Sequence, residues 1–169
     1  AQSGMTRNSV YDFAVKGTAL FAGTAVQSVF VTTDYGAQWT PIKAGIRHSP
    51  VRALAVKEDH LFAGGWNSGV FSTTDQGASW TETNKDLTSS DIWAFASMDE
   101  FLFAGTLRGV FASVDHGTSW ADISAGLFNK SIRALAVNDT FLFAGTNGGG
   151  VCRLNRYGTG WETVNTDLT

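Results

Sequence analysis

An all-β array of four propeller blades is the fold this sequence predicts, and three observations carry that prediction. A unit recurs four times, and each copy ends on a tryptophan: Trp39, Trp80, Trp120 and Trp161, spaced 41, 40 and 41 residues apart. Each copy holds four short runs rich in β-branched and aromatic residues, cut by Gly, Asp and Asn, as strands and hairpin turns are. No helical 3.6-residue pattern competes. A period near 40 with several strand patterns inside it marks radially repeated sheets.

The copies run Val10–Trp39, Val51–Trp80, Ile92–Trp120 and Ile132–Trp161, and the third is one residue shorter between Ala104 and Val110. In the second copy the strand-like pieces are Val51–Val56, His60–Gly64, Gly69–Thr74 and Ser79–Asn84. The expected blades are 10–49, 50–90, 91–130 and 131–169, within one propeller domain spanning 1–169. Four antiparallel strands cannot bury both faces of their sheet alone, and stacking blades around an axis solves that problem.

The first strand of each copy is the most apolar and is expected innermost. One of its columns is always Ala (Ala14, Ala55, Ala96, Ala136), and the next is always large (Phe13, Leu54, Phe95, Leu135). Successive side chains point to opposite faces, so a large face on one blade can pack on the small face of another. The Leu-Phe-Ala-Gly phrase of the second strand (Leu20–Gly23, Leu61–Gly64, Leu102–Gly105, Leu142–Gly145) repeats the scheme.

Composition narrows the function. With 19 Gly, 2 Pro, 12% aromatic and only 16% charged residues, the chain suits short strands joined by tight turns. The net charge of −3 comes with no Lys/Arg run, which argues against nucleic acid as a partner. No apolar run reaches 18 residues, so no membrane insertion by a helix is expected. The single Cys152 excludes an intrachain disulfide. It stands where other copies carry Phe30, Phe71 and Phe111, and is expected to be a small buried hydrophobe. A start at Ala1-Gln2, without Met or an apolar leader, suits either a mature terminus left by signal cleavage or a boundary of another kind. The expectation taken from it is an exported protein, secreted or periplasmic.

Before each Trp lies a turn: Thr32-Thr33-Asp34-Tyr35-Gly36-Ala37-Gln38-Trp39, with counterparts at 73–80 and 113–120. Asp34, Asp75 and Asp115 can accept backbone N–H bonds inside their own turns. Gly36, Gly77 and Gly117 can take positive φ without steric cost. Each Trp can pack its ring between sheets while its N–H finds an acceptor. The pattern Ser/Thr-x-Asp-x-Gly-x-x-Trp resembles the Asp-box, or BNR repeat, of sialidase-like propellers, and the resemblance covers essentially the whole chain. That superfamily includes sialidases, sortilin-type receptors, xyloglucan-cleaving glycosidases and a photosystem II assembly propeller. The resemblance implies the propeller fold and a structural role for the box. In the fourth copy Gly158 and Trp161 remain, but Arg156 stands where Asp belongs, so that turn must be held some other way.

Four blades could close as a small ring, with Arg7-Asn8-Ser9 as the missing linker, or two chains could join as an eight-bladed ring without open edges. The chain could also be part of a longer array. Large rings are what the resemblance implies, and Ala-rich interfaces suit their shallower blade angle, so the homodimer is put slightly ahead.

No catalytic residue is assigned. A sialidase-like site implies an arginine cluster, a Tyr/Glu pair and an acid, and glycoside hydrolysis needs two facing carboxylates roughly 5–10 Å apart. Here the carboxylates are scattered singly and fall mostly in first-hairpin turns. Asp12 is the exception, interrupting a column otherwise filled by Ala53, Ala94 and Ala134; a hydrogen-bonded blade junction is the preferred reading for it. His48, His60 and His116 lack metal-ligand spacing, and no metal or cofactor is expected. The glycine-rich run 145–150 lies between two strands, so a hairpin explains it better than a phosphate loop.

One column carries a binding hypothesis. At the second position of the inner strand stand Tyr11, Arg52, Trp93 and Arg133, alternately aromatic and cationic. Around the axis they would ring one channel mouth, suited to a sugar, a carboxylate or a peptide terminus. Packing between blades is the competing explanation. Trp66, in a loop with Asn67 and Ser68, is a second candidate. The reading favoured is a non-catalytic exported module that binds a glycan or a protein. The alternatives are a sialidase-like hydrolase or lyase using Asp12 and an arginine, and a structural or assembly factor acting through its faces.

If the carboxylate holds the turn, Asp75→Ala lowers the unfolding midpoint more than Arg156→Ala does; equal midpoints in thermal melts of the two variants would contradict that role.

Overall fold

The computed structural model describes residues 8–26, 29–42, 45–46, 50–156, 158 and 160–166. Arg7, His48 and Tyr157 lie outside them, as do the last residues of the expected first and fourth units. The first sheet contains β1 (Val10–Lys16), β2 (Ala19–Thr24), β3 (Val29–Thr32) and β4 (Thr40–Ile42). The second contains β5 (Val51–Lys57), β6 (His60–Gly65), β7 (Gly69–Thr73) and β8 (Thr81–Glu82). The third contains β9 (Ile92–Met98), β10 (Phe101–Thr106), β11 (Gly109–Ser113) and β12 (Ala121–Asp122). The fourth contains β13 (Ile132–Val137), β14 (Phe141–Thr146), β15 (Gly150–Asn155) and β16 (Trp161–Thr163). Each sheet is an antiparallel meander in chain order.

The first strand of each sheet is innermost: β1 packs on β5, β5 on β9 and β9 on β13. Among the described residues, β13 shows no comparable packing back onto β1. The interfaces join a small face to a large one. A Cβ placed on Gly23 would lie 2.8 Å from the Val51 carbonyl oxygen, one on Gly64 would lie 2.6 Å from Ile92, and one on Gly105 would lie 2.7 Å from Ile132. These glycines are required by close approach. Val51, Ile92 and Ile132 are almost wholly buried in consequence, and Phe95 tilts against Phe62 of the second sheet at 6.5 Å.

The first three pre-Trp turns are closed alike. In the second, Thr73 Oγ1 donates to Asp75 Oδ1 (2.6 Å) and accepts from the Gly77 N–H (3.0 Å). The Asp75 carboxylate accepts from the Ser79 N–H (2.9 Å) and hydroxyl (2.6 Å). Gln76 and Gly77 take positive φ of 58° and 88°. These bonds hold the Asp75 carboxyl well below the usual range, with the Ser79 hydroxyl contributing most. Asp34 is lowered chiefly by the Gln38 N–H. At Asp115 burial pushes upward, but bonds from Ser119 and Ser113 outweigh it.

The fourth turn replaces this network. Leu154 has no hydroxyl and Arg156 no acceptor, so the Gly158 N–H bonds the Asn155 carbonyl (2.8 Å). Arg156 reaches outward to the Asp99 carboxylate of the third sheet and to the Asp139 carbonyl (3.1 Å).

The indoles bridge neighbouring sheets. Trp120 Nε1 donates to the Thr83 carbonyl (2.9 Å) and Trp161 Nε1 to the Ile123 carbonyl (2.8 Å), each acceptor belonging to the preceding sheet. Trp80 Nε1 is buried and has no hydrogen-bond partner among the described residues; the equivalent acceptor position, Lys43, lies outside them. The fourth strand is shorter than the Ser79–Asn84 expected in the second copy, because the Ser79 N–H is taken by Asp75 and ladder pairing starts only at Thr81.

Trp120, 3% exposed, fills a core site, so Trp120→Ala should cost about 3–5 kcal/mol in urea unfolding, and Trp39→Ala, at a half-buried position, clearly less. Acid gives a second test. The lowered folded-state carboxyls contribute stability that is present above their ordinary values near ~4 and lost as pH falls through the folded values. The melting-temperature gap between the native chain and Asp75→Asn is therefore expected to be full at pH 6 and to shrink steadily below about pH 4; a gap independent of pH would refute the assignment.

Candidate functional site

Each inner strand carries one register break near its start. It falls between Val10 and Asp12, between Val51 and Ala53, and between Ile132 and Ala134; in the third sheet it lies where Thr106 pairs Ile92 and Gly105 pairs Ala94. The extra residue at each break is Tyr11, Arg52, Trp93 or Arg133. A β-bulge interrupts alternation and re-aims one side chain, and here it turns the same column outward in all four sheets. The packing reflects this: Val51 and Leu54 are three residues apart, yet both lie against Gly23, which an unbroken strand would not allow.

The four side chains form a ladder. The Arg52 guanidinium carbon lies 4.6 Å from the Tyr11 ring centroid and 4.4 Å from that of Trp93. Arg133 lies 4.0 Å from the other end of this run, over the Trp93 ring. Trp66 joins as well, with its ring 5.7 Å from the Arg52 guanidinium, so the two candidate sites read from the sequence are one. The loop carrying Trp66 is pinned to the entry of the third sheet. The Asn67 N–H donates to Asp91 Oδ1 (2.9 Å), the Ser90 hydroxyl to Asn67 Oδ1 (3.1 Å), and the Ser68 N–H to the Ser90 carbonyl (3.1 Å). Cation–aromatic contacts at such distances contribute about 0.5–2 kcal/mol each, more where water is excluded.

The ladder is rich in donors and poor in acceptors. Arg52 Nε and Trp93 Nε1 are buried and have no hydrogen-bond partner. Tyr11, Trp66 and Arg133 remain exposed, so the aromatic faces and guanidinium edges are presented together. Such a surface accommodates planar or ring-shaped groups and oxygen acceptors.

Asp12 stands apart from this surface. Its Oδ1 accepts from the Phe13 N–H and its Oδ2 from the Leu54 N–H of the next sheet, both at 2.8 Å. It is a clamp between the first two blades. Cys152 is 2% exposed, and burial pushes its thiol up. His60 and His116 stack face to face at 4.6 Å between the second and third sheets. Among the described residues, no group of three or more His, Cys, Asp or Glu could hold a metal ion, and no helix is long and apolar enough to cross a membrane. The glycine-rich run forms the β14–β15 hairpin, with Thr146 paired to Gly150.

No protein-family model and no curated protein matches the sequence. Solved structures do. The chain superposes on the computationally designed Ika4 protein with a TM-score of 0.71 at 18% identity, over 92% of this chain and 95% of that one. It superposes on YCF48 bound to D1 peptide with a TM-score of 0.72 at 18% identity, over 92% of this chain and 52% of that one. The extracellular domain of the putative one-component system BT4673 from B. thetaiotaomicron gives a TM-score of 0.79 at 17% identity, over 96% and 23%. The fold is that of a β-propeller. The propeller array described by this chain thus spans nearly the whole of Ika4, about half of YCF48 and about a quarter of the BT4673 domain.

Proposed function

We propose that this propeller is a non-catalytic interaction module, and that it takes an acceptor-rich peptide segment or glycan on the Tyr11–Arg52–Trp93–Arg133 ladder. The observation that carries the reading is the set of side chains left exposed together, Tyr11, Trp66 and Arg133, around the stacked Arg52 and Trp93. An approaching carboxylate, carbonyl or sugar hydroxyl would meet the exposed Arg133 guanidinium beside open aromatic faces. A peptide is the preferred class of ligand, because the similar YCF48 propeller is described with a peptide bound. Export to the periplasm or cell exterior belongs to the same proposal; the extracellular BT4673 domain supports it. The three Ser/Thr-x-Asp-x-Gly-x-x-Trp turns are read as Asp-boxes, on the strength of their shared hydrogen-bond network.

One observation favours a second reading, that of an assembly factor acting through its faces: Phe13 and Val15 on the outer face of the first blade, and Ala134 and Ala136 on that of the fourth, are exposed. The hydrolase alternative has less to stand on, since both oxygens of Asp12 are engaged by backbone N–H groups.

The test is titration of intrinsic tryptophan fluorescence with two panels: short peptides ending in a free carboxylate, beside their amidated forms, and sialyl and glucan oligosaccharides. Saturable binding by one panel, weakened tenfold or more in Trp93→Ala and in Arg52→Ala with melting curves still cooperative, is the expected result. Binding unaffected by both substitutions, or no binding by either panel, would overturn the proposal.

A further inference from the structure

The chain contains three blade-to-blade interfaces built alike, and its two outer faces are the two halves of a fourth. On the leading face of the first blade Val10 is 36% exposed, Phe13 54% and Val15 64%. The counterparts of Val10 in the other blades, Val51, Ile92 and Ile132, are at most 1% exposed, and Leu54, the counterpart of Phe13, is 6% exposed. On the trailing face of the fourth blade Ala134 and Ala136 are exposed and Phe143 is half-buried, whereas Phe21 and Phe62 at the same place are fully buried. A Cβ on Gly145 would meet nothing but Ala134 of its own sheet. At Gly23, Gly64 and Gly105 it would strike the next blade. One outer face is therefore large and apolar, the other small and notched, in the complementary sense that the three inner interfaces use.

We propose that a second copy of this chain supplies both missing halves, the fourth blade of each copy packing on the first blade of the other in a two-fold ring of eight blades. Two copies give a blade number within the range of known propellers, and three would exceed it. A seam that closes on itself leaves no open sheet face, while one that does not close would run on as a filament. In each seam Val10 and Phe13 seat over the notch at Gly145 of the partner subunit. The indole of Trp39, half-buried in the single chain, meets the carbonyl of Val164 of the partner subunit. That carbonyl occupies the place of the Thr83 and Ile123 carbonyls, which accept from Trp120 and Trp161.

The seam has a consequence for the mouth, and only this consequence rests on the binding reading above. The ladder ends on a cation, Arg133, and begins on an aromatic, Tyr11. Across the seam the two become neighbours, so aromatic and cation alternate without a break through eight positions. The site is incomplete in one copy: among the described residues, Tyr11 has a guanidinium, that of Arg52, on one face only.

The experiment is light scattering on a sizing column with the 169-residue chain and no ligand. A mass twice the 18.0 kDa of one chain is expected. Phe13→Asp and Gly145→Leu should each reduce it to that of one chain while keeping the β circular dichroism spectrum, since Phe13 is 54% exposed and a Cβ on Gly145 makes only an ordinary contact with Ala134 in the single copy. A single-chain mass for the native protein, a higher or unbounded multiple, or a doubled mass that persists in both variants would overturn the proposal. Because mass is read without ligand, its failure leaves the binding reading standing, and loss of binding in Trp93→Ala leaves the seam standing.

Discussion

Close approach between one blade's second strand and the next blade's first strand is the constraint on which the molecule depends. Gly23, Gly64 and Gly105 leave room for Val51, Ile92 and Ile132 to reach within van der Waals range of the backbone. Every carbon admitted there leaves water, at roughly 25 cal/mol per Å² of apolar surface, and the inner strands are drawn together into a common core. The neighbouring Phe, Leu and Ala columns fill the rest of each interface. A blade is thus directional, with a notched face and a filled one, and any number of copies must stack in the same sense.

The pre-Trp turns serve that stacking. Hydroxyl, carboxylate and glycine close a tight loop whose conformation fixes where the indole begins. The indole then spans the interface, donating to the outer strand of the preceding blade at Trp120 and Trp161. The fourth turn reaches the same end with different parts. It has lost both hydroxyl and carboxylate, keeps the Gly and Trp, and recovers its closure through a backbone bond and an arginine tied to the third blade. Position of the Trp is preserved while the chemistry that achieves it changes.

The ladder arises from the same scaffold by one extra residue per inner strand. Without the bulge, Tyr11, Arg52, Trp93 and Arg133 would lie within the blade interfaces, where guanidinium groups would be desolvated at heavy cost. With it they leave the interface and stack on one another. Packing between blades and exposure of aromatic faces are therefore not alternatives here. Arg52 stacks between Tyr11 and Trp93, and its Nε is buried there without a partner among the described residues.

The repeat, the four strands per unit, the Trp-terminated turns and the buried Cys152 were legible in the sequence, because each is written locally, in alternation, turn residues and a column shared by four copies. The alternating Tyr11, Arg52, Trp93, Arg133 column was legible too, as a pattern without a geometry. Only the tertiary structure decided that a bulge lifts it out of the interface, that Trp66 joins it, and that Asp12 engages the N–H groups of Phe13 and Leu54. It alone decided that Phe13 stands in solvent while Leu54 in the same column is buried, whereas a hydrogen-bonded blade junction at Asp12 was already the reading its column suggested. Those facts depend on what lies across a blade boundary, about forty residues away, and a repeated sequence gives each copy the same text whether or not it has a neighbour.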